Sequence, residues 1–267
     1  MRNGFVKRQL VQLGLVGNAV HPVPGSWAAI PEFFAGWLTA ELAPHLLALT
    51  ALDTAAQLAR PDKRSARGLA LAALSAVGYV KLIRDAQHAK VEVEDALRET
   101  LGPDYVHELE REPDADDLAT PWGQLLMPFR MTNKNVVRKS NIAYAPGGSR
   151  YLLDVYHGQE EQQRRPVLIQ VHGGGWVIGH KAQQGVPLMQ HMAERGWICV
   201  APNYPLSPKA AWPEHVVALK RAIAWVRENI ADYGGDPSFI GVTGGSAGGH
   251  LATLLALTAN DPAWQPG

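Results

Sequence analysis

Residues 135–260 alternate short apolar runs with glycine or proline turns and helical patterns. Five of these runs predict strands, because β-branched and other apolar residues are bounded there by turn residues. The first two runs flank the turn Pro146–Ser149 and should pair as antiparallel neighbours. Helical patterns separate the later runs, which favours parallel strands joined by crossovers. The predicted strands are Asn135–Tyr144, Tyr151–Tyr156, Val167–Val171, Ile198–Pro202 and Phe239–Thr243.

The clearest helical pattern follows Pro213. Apolar residues recur there at intervals of three and four, which places them on one side of a helix that faces a core. Proline suits the first turn of such a helix, because the N–H that it lacks would have no partner there. The recurring residues are Val216, Leu219, Ile223, Val226 and Ile230.

Residues 1–110 have a different pattern, rich in Ala and Leu, in which two apolar stretches flank a basic turn. A helix that spans a bilayer needs about 20 mostly apolar residues. The first stretch, Trp27–Ala59, contains acidic residues, and the second, Gly68–Ile83, is short and contains Lys81. Three alternatives stay open: a buried helical hairpin, which we favour, membrane-surface association, or true spans. The acidic residues are Glu32, Glu41 and Asp53, and the basic turn contains Arg60, Lys63, Arg64 and Arg67.

A polar, acidic segment, Glu108–Thr120, separates the two patterns and is followed by Pro121. Such a segment buries too little apolar surface to pack, so it predicts a linker or an exposed loop. We therefore place a domain boundary near residue 120. Residues 1–120 are expected to form a helical, apolar region that serves as a cap or a membrane-docking element. Residues 121–267 are expected to form the N-terminal part of an α/β catalytic domain.

Composition and residue spacing exclude several classes of protein. The chain has 25 Lys plus Arg against 25 Asp plus Glu, whereas nucleic-acid binders usually show a basic excess. Its one cysteine, Cys199, excludes an intramolecular disulfide and a cysteine-based metal site, and is expected to be an inert buried thiol. Histidines do not occur at metal-ligand spacing, and the glycine runs do not match a dinucleotide pattern. We expect no metal and no cofactor.

The start of the chain does not resemble a cleavable secretion signal. Arg2, Lys7 and Arg8 supply a basic start, but the stretch that follows is short and contains Gln9 and Gln12. The sequence therefore leaves a cytoplasmic and a membrane-associated location open, and it carries no signature of an oligomeric state.

The sharpest chemical motif is Gly244–Gly248 (GGSAG), which has the form G-x-S-x-G. It follows the apolar run Phe239–Val242 and precedes a helical pattern, so it has the strand, turn and helix that such a motif requires. In that setting the serine stands on a strained turn that only small neighbours permit. Ser246 is therefore the candidate nucleophile, and the N–H of Ala247 is a candidate donor to the oxyanion.

A second motif, His172–Trp176 (HGGGW), follows the strand-like run Pro166–Val171. Three glycines let the backbone turn and leave its amides pointing into a cleft. Attack of a serine on an ester creates a negative oxygen, and each preorganised N–H donor there contributes on the order of 10²–10³ in rate. The two motifs in this order predict a serine nucleophile that faces an oxyanion hole. His172 and Trp176 are candidate substrate-pocket residues, although Trp176 could equally be a core aromatic.

These motifs, with Asn203–Pro208 (NYPLSP) between them and Gly235–Pro237 before the last strand, resemble those of the α/β-hydrolases. More narrowly, the chain resembles the hormone-sensitive-lipase-like carboxylesterases, whose oxyanion loop has the HGGG form. The resemblance covers about residues 135–262. It implies an α/β-hydrolase fold with a mostly parallel sheet, preceded here by an α-helical N-terminal region.

The resemblance also implies the roles of individual residues. Ser246 would be the nucleophile and Gly173 mainly a turn residue. Many family members carry Asp where this chain has Gly245 and Asn203, which leaves the subfamily and its substrate open. The implied donors to the oxyanion are the N–H groups of Gly174, Gly175 and Ala247.

The triad acid and histidine have no convincing candidates in the sequence. In this fold the triad runs in the order serine, acid, histidine, and after Ser246 only His250 and Asp261 are available. His250 is one helical turn from the serine, whereas the base must approach from another loop. Asp261 lies in a terminal turn. We expect both groups, and the C-terminal strands, outside residues 1–267. The cut sheet would expose an apolar edge, so residues 1–267 alone should aggregate or be marginally stable, and should show little esterase activity.

We therefore expect a serine carboxylic-ester hydrolase, an esterase or lipase, that acts on a small-molecule or lipid ester through an acyl-enzyme on Ser246. The N-terminal region could associate with a membrane surface, where apolar esters are found. Two alternatives stay open. One is a non-catalytic hydrolase scaffold or membrane-docked binding module, and the other is related serine chemistry on prenylcysteine methyl esters, formamides or acyl acceptors.

Overall fold

The structure, a computed structural model, describes residues 3–22, 25, 28–60, 64–109, 111–160 and 163–266. The chain forms two compact units, Met1–Pro128 and Phe129–Gly267, called here the helical unit and the hydrolase unit. The division falls eight residues after the predicted boundary. The reason is a short helix after Pro121, whose Leu126 carbonyl is 3.2 Å from the His45 Nε2 atom of the helical unit.

Among the described residues of the helical unit, five segments form α-helices. The first apolar stretch yields two helices because Pro44 stands in the first turn of the second one, and proline cannot continue a preceding helix. Trp27, where that stretch begins, lies outside the described residues. The second stretch forms the first half of a single long helix, which starts at the cap residue Ser65. The helices are α1 (Asn3–Val20), α2 (Ala29–Glu41), α3 (Ala43–Leu58), α4 (Ala66–Leu101) and α5 (Trp122–Leu126).

Small residues let the long helices of this unit approach closely. A methyl group added at Gly68 would lie 2.5 Å from the Phe5 ring, and one added at Gly78 would lie 2.6 Å from Val16. These two pairs run in the same order along both helices, so α1 and α4 are parallel. Helix α3 is antiparallel to both, because Asp53 in its second half bonds to residues in the first half of α1.

The hydrolase unit contains a five-stranded sheet in the order β1-β2-β4-β3-β5. The first two strands pair as antiparallel neighbours, and β3 lies between β4 and β5 and is parallel to both. Strands β2 and β4 pair in antiparallel fashion. The predicted α/β-hydrolase fold after a helical region is confirmed. The sheet was expected to be mostly parallel and is mixed, because two of its four pairings are antiparallel. The strands are β1 (Val136–Ala143), β2 (Leu152–Gly158), β3 (Arg165–Val171), β4 (Ile198–Pro202) and β5 (Gly235–Gly244).

Helical crossovers join the parallel strands and supply the core that positions the site. Helix α6 (Val186–Glu194) connects β3 to β4, and α7 (Glu214–Asn229) connects β4 to β5. The predicted apolar side of α7 is buried against the sheet through Val216, Leu219 and Val226, with Ile230 just beyond its end. The last helix, α8 (Ala247–Leu257), follows β5 directly. Burial raises the pKa of the Cys199 thiol, in β4, to about 12.

Candidate active site

Ser246 stands on a sharp turn between β5 and α8. Its backbone has φ 56° and ψ −125°, a region that non-glycine residues rarely adopt. Only small neighbours permit this turn. A methyl group added at Gly248 would lie 2.2 Å from the Val171 carbonyl oxygen, and one at Gly244 would lie 2.4 Å from Gly248. The side chain of Ser246 is exposed, so the motif forms the local structure that was predicted from its spacing.

The triple-glycine segment forms a tight turn after β3. Gly174 has φ +122°, and a methyl group there would lie 2.1 Å from the Ile178 carbonyl oxygen. The Gly174 carbonyl accepts hydrogen bonds from Val177 N (3.1 Å) and Ile178 N (3.0 Å), which closes the turn. Gly175 has φ +59° and open space around it. Glycine is thus needed at 174 for both conformation and space.

The serine turn and the glycine turn contact each other. Strands β3 and β5 are parallel neighbours, so the segments that follow them leave the same edge of the sheet. A methyl group added at Gly173 would lie 2.5 Å from the Gly245 carbonyl oxygen and 3.3 Å from Ser246 Cβ. The structure therefore brings the candidate nucleophile and the candidate oxyanion loop together.

Three backbone donors of these turns are free. In the part of the chain that the structure describes, no acceptor is found for the N–H groups of Gly174, Gly175 and Ala247. The N–H of Gly173, by contrast, donates to Gln184 Oε1 at 2.7 Å. This bond fixes the first glycine of the loop, in line with its expected role as a turn residue.

Gln184 is a site residue that the sequence analysis missed. It lies 11 residues beyond Gly173, in a polar run (KAQQG), and its contact depends on how the intervening loop folds back. No local pattern signals that contact. The next residue, Gly185, has φ +68°, and a methyl group there would lie 2.5 Å from the Gln170 side chain. The chain therefore passes close to the end of β3 at this point.

His172 lies beneath the loop rather than on its open side. Its side chain is 1% exposed and stacks on Tyr204, with ring centroids 4.4 Å apart. The Tyr204 hydroxyl donates to the His172 carbonyl at 2.9 Å, and His172 Nδ1 donates to the Gly173 carbonyl at 2.9 Å. Burial lowers the pKa of His172, which keeps the ring neutral. The prediction that His172 lines a substrate pocket is therefore wrong, because its ring is enclosed by the core.

Trp176 lies on the open side of the loop. Its side chain is 37% exposed, and its backbone has φ +62°. Its ring meets His250 edge to face, with centroids 5.3 Å apart, so the indole lies over the first turn of α8. A cavity of about 850 Å³ opens next to this loop and is lined by Val177, Leu206 and Trp212, among others. Trp176 therefore remains a candidate substrate-pocket residue.

Neither His250 nor Asp261 is placed to act on Ser246. The His250 ring packs between Trp176 and Trp212. Asp261 Oδ1 accepts a hydrogen bond from Ala263 N at 3.0 Å and caps a terminal turn. Among the described residues, no side chain hydrogen-bonds to the Ser246 hydroxyl. In this arrangement His250 packs against aromatic rings and Asp261 caps a turn.

Asn203, one of the two departures from the family pattern, anchors the far end of the loop. Its Oδ1 accepts from Lys181 N at 2.8 Å, and its Nδ2 donates to the Ser149 carbonyl at 2.9 Å. An aspartate would lose the second bond because it has no donor. At the other departure, Gly245, an added methyl group would meet no atom within 4 Å. The site tolerates a side chain there.

A buried ion cluster holds the same loop end to the sheet. The Lys181 ammonium bonds to Asp154, and Arg138 bonds to the other oxygen of that carboxylate at 3.0 Å and 2.5 Å. Burial alone would raise the pKa of Asp154. Bonds from Lys181, the Asn141 N–H and Arg138 outweigh it and hold the pKa below its usual range. Because its charged groups are paired with one another, the cluster holds this end of the loop against the sheet and offers no free nucleophile.

No group of three or more His, Cys, Asp or Glu side chains that could hold a metal ion occurs among the described residues. The site thus consists of a serine on a strained turn, three unpaired backbone N–H groups and a partly exposed tryptophan. Such an arrangement can attack a carbonyl carbon and stabilise the oxyanion that results.

A family model described as BD-FAE matches residues 153–265. Esterase LipQ of Mycobacterium tuberculosis is 44% identical over 249 residues, which are 91% of this chain and 55% of LipQ. The "Probable carboxylic ester hydrolase LipM" of the same organism is 40% identical over 263 residues, which are 94% of this chain and 59% of LipM. A solved structure of a truncated form of carbohydrate esterase from gut microbiota is 34% identical, with a TM-score of 0.42, over 46% of this chain and 44% of that chain.

The chain spans a little more than half the length of these two curated relatives. Both matches cover more than nine-tenths of the chain, so they include the helical unit as well as the hydrolase unit. The family model lies within the hydrolase unit and includes both glycine motifs. These matches support the resemblance of this chain to the hormone-sensitive-lipase-like carboxylesterases of the α/β-hydrolases.

Proposed function

We propose that the full-length protein is a serine carboxylic-ester hydrolase in which Ser246 forms the acyl-enzyme. One observation carries this proposal: the strained, exposed serine lies against the triple-glycine turn, with the Gly173 backbone next to Ser246 Cβ. The hydroxyl attacks the ester carbonyl, the alcohol leaves, and water then releases the acid. Small-molecule esters are the substrate class implied by the esterases LipQ and LipM.

The oxyanion is held by backbone groups. The unpaired N–H groups of Gly174, Gly175 and Ala247 are the proposed donors. Because Ala247 begins α8, its N–H also belongs to the positive end of a helix dipole. Preorganised donors cost no reorganisation when the charge develops, and each contributes on the order of 10²–10³ in rate. The Gln184 bond to Gly173 N supports this set by fixing the entry to the loop.

The proton transfers require a histidine and an acid that the described residues do not bring to Ser246. We propose that both lie outside residues 1–267 in the full-length protein, as the order serine, acid, histidine requires in this fold. Trp176 is the proposed wall for the acyl or alcohol group of the ester, because its ring is partly exposed beside the serine turn. The helical unit would hold the enzyme at a membrane, where apolar esters collect.

Covalent labelling of the full-length protein tests the proposed nucleophile. A fluorophosphonate probe should label the wild-type protein, and the label should vanish in Ser246→Ala. Ser238→Ala, a matched serine whose hydroxyl bonds to Asp236 on the surface, should keep the label and the ester turnover. Equal labelling of the Ser246→Ala protein would overturn the assignment. Absence of labelling and of ester turnover in the wild-type protein would favour a non-catalytic scaffold.

A further inference from the structure

The outer surface of the helical unit is apolar along most of α1 and α3 and along the first half of α4, while its interior contains some polar groups. In the first half of α4, between Gly68 and Val80, every exposed side chain is aliphatic, whereas Ser75 and the Tyr79 ring are buried. The interior also contains an apolar cluster around Val16, Ala43 and Tyr79, so the departure from a water-soluble bundle lies in the apolar outer face, which would normally be polar. The exposed residues of this segment are Ala70, Ala73, Leu74, Val77 and Val80.

Helices α1 and α3 show the same inversion. Between residues 9 and 20 of α1 and between residues 43 and 52 of α3, the exposed positions are glycine or aliphatic. Gln9 and Thr50 are buried between the helices instead. Small and polar residues at helix contacts are typical of helices that associate within a bilayer. The exposed residues are Leu10, Val11, Gly14, Gly17, Val20, Ala48, Leu49, Ala51 and Leu52.

Helix α2 adds an aromatic group at one end of this bundle. Phe33, Phe34 and Trp37 are exposed and contact each other, with ring centroids 5.5 to 6.3 Å apart. The helix packs on the end of α1, where Asn18 Nδ2 donates to the Glu32 carbonyl at 2.8 Å. Exposed aromatic rings at one end of an apolar bundle fit the interface between hydrocarbon and headgroups.

The lengths of the helices fit a bilayer. Helices α1 and α3 have 18 and 16 residues, which at ~1.5 Å per residue come close to the ~30 Å of a hydrocarbon core. When each helix is taken alone, α4 is, within the described part of the chain, the one helix long and apolar enough to cross a membrane. Helices α1 and α3 would therefore cross only as members of a bundle packed against α4. Because outward faces on three helices point in different directions, a single flat surface cannot cover them, whereas surrounding lipid can.

Basic residues are more numerous at the end opposite to α2 than at the α2 end, where α4 carries Lys81 and Arg84. The sequence has no Lys or Arg between residues 9 and 59. Since α1 and α4 are parallel and α3 is antiparallel, the start of α1, the end of α3 and the start of α4 share one end. Arg8 is neutralised there by Asp53, at 2.6 Å. The exposed basic residues at this end are Lys7, Arg8, Arg60, Arg64 and Arg67.

We propose that α1, α3 and the first half of α4 cross a lipid bilayer, with the basic end at the cytoplasmic face and α2 at the opposite face. Basic residues that flank membrane helices remain preferentially on the cytoplasmic side, which sets this orientation. The chain after Ile83 then leaves the bilayer on the non-cytoplasmic side, and the hydrolase unit acts there. This proposal is independent of the chemistry proposed for Ser246.

Two valines on the same helix provide a matched test of the lipid contact. Val77 lies in the proposed span and is 69% exposed, whereas Val93 lies in the charged half of α4 and is 59% exposed. In the full-length protein, Val77→Arg should reduce the membrane fraction that resists alkaline carbonate by about tenfold or more, because a central arginine strongly disfavours insertion. Val93→Arg should leave that fraction unchanged. Equal behaviour of the two variants, or a wild-type protein that carbonate extracts, would overturn the proposal.

Cysteine labelling tests the orientation. Gly25→Cys, between α1 and α2, and Arg60→Cys, at the basic end, are compared in full-length protein whose native cysteines are replaced by alanine. A membrane-impermeant maleimide applied to intact cells should label Gly25→Cys and should reach Arg60→Cys only after lysis. Labelling of both from outside, or of neither, would overturn the orientation. Fluorophosphonate labelling of the same membranes reports Ser246 separately, so failure of either proposal is distinguishable.

Discussion

The two units differ in where they place large apolar side chains. In the hydrolase unit, Val155, Val167 and Ile169 are enclosed between the sheet and its helices. In the helical unit, leucines and valines of similar size lie on the outside, and Gln9 and Thr50 lie between helices. Both arrangements come from apolar patterns in one chain. The spacing of apolar residues therefore identifies the apolar face of a helix, but it does not tell whether that face contacts a protein core or lipid.

The two units also use glycine differently. In the hydrolase unit, Gly248 allows the backbone of α8 to approach the backbone of β3. In the helical unit, Gly68 and Gly78 make room for the side chains of Phe5 and Val16. A backbone atom cannot move aside, whereas a side chain can shift. Changes at the serine turn should therefore cost more than changes at the helix contacts.

The largest effect is expected from Gly248→Ala. The new methyl group would lie 2.2 Å from the Val171 carbonyl oxygen, so β3 and the serine turn must separate. We expect a loss of more than ~4 kcal/mol in the free energy of unfolding, with loss of fluorophosphonate labelling. Gly245→Ala, where the methyl group meets no atom within 4 Å, is the control and should retain labelling. Chemical denaturation and labelling measure both, and equal results for the two variants would contradict the close packing.

A serine substitution in each unit sharpens the comparison of the two surfaces. Ile169→Ser, in the enclosed core, should lower the free energy of unfolding by about 4 kcal/mol, because it leaves a cavity and a buried hydroxyl. Leu52→Ser, on the outer face of α3, should leave unfolding of the hydrolase unit unchanged and weaken membrane retention instead. Two measurements separate the outcomes: chemical denaturation monitored by fluorescence reports the hydrolase unit, and carbonate extraction reports membrane retention. Equal destabilisation of the hydrolase unit would contradict the division into units.

A smaller effect is expected from Gln184→Leu. This change removes the acceptor for Gly173 N, so the oxyanion loop loses one fixed point. We expect kcat for ester hydrolysis by the full-length protein to fall about tenfold with little change in KM, because the loop acts on the transition state. Gln184→Glu retains an acceptor and should preserve most of the activity. A rise in KM with no change in kcat would indicate that Gln184 acts on substrate binding instead.

The smallest effect is expected from pH. Burial lowers the pKa of both His172 and His215. A base whose pKa is lower in the folded state takes up protons preferentially when unfolded, so stability is lost as the pH falls below about 6.5. The hydrolase unit should be less stable at pH 5 than at pH 7. His172→Phe, which keeps a ring against Tyr204, should show a smaller difference in urea unfolding, and an equal difference would contradict this role.

Local structure was largely predictable from the sequence, whereas contacts between distant residues were not. The pattern predicted all five strands and the antiparallel pairing of the first two. Strand β5 begins at Gly235, where Gly235 pairs with Arg165. The predicted start was later, at Phe239, because Asp236-Pro237 is a sequence typical of a turn. The order of the strands depends on long-range pairing, which no local pattern contains.

In the candidate active site too, local structure was predictable from the sequence and contacts between distant residues were not. The strand, turn and helix around Ser246 follow from the spacing of glycines, because only small residues fit that turn. The bond from Gly173 to Gln184 depends on the path of an entire loop, so no motif signals it. His172 was expected in a pocket, but its stack on Tyr204, 32 residues away along the chain, places it in the core. In the helical unit, the sequence did not predict that the first apolar stretch divides into two helices at Pro44.

The enclosed thiol of Cys199 has a consequence for the environment that these residues can tolerate. Burial raises the pKa of this thiol to about 12, which disfavours the reactive thiolate at neutral pH. Oxidants and heavy-metal ions react with the thiolate form, and this sulfur is also shielded from them by β4 and its neighbours. Since Cys199 is the one cysteine of residues 1–267, this part of the protein exposes no thiol that could form a disulfide with another molecule.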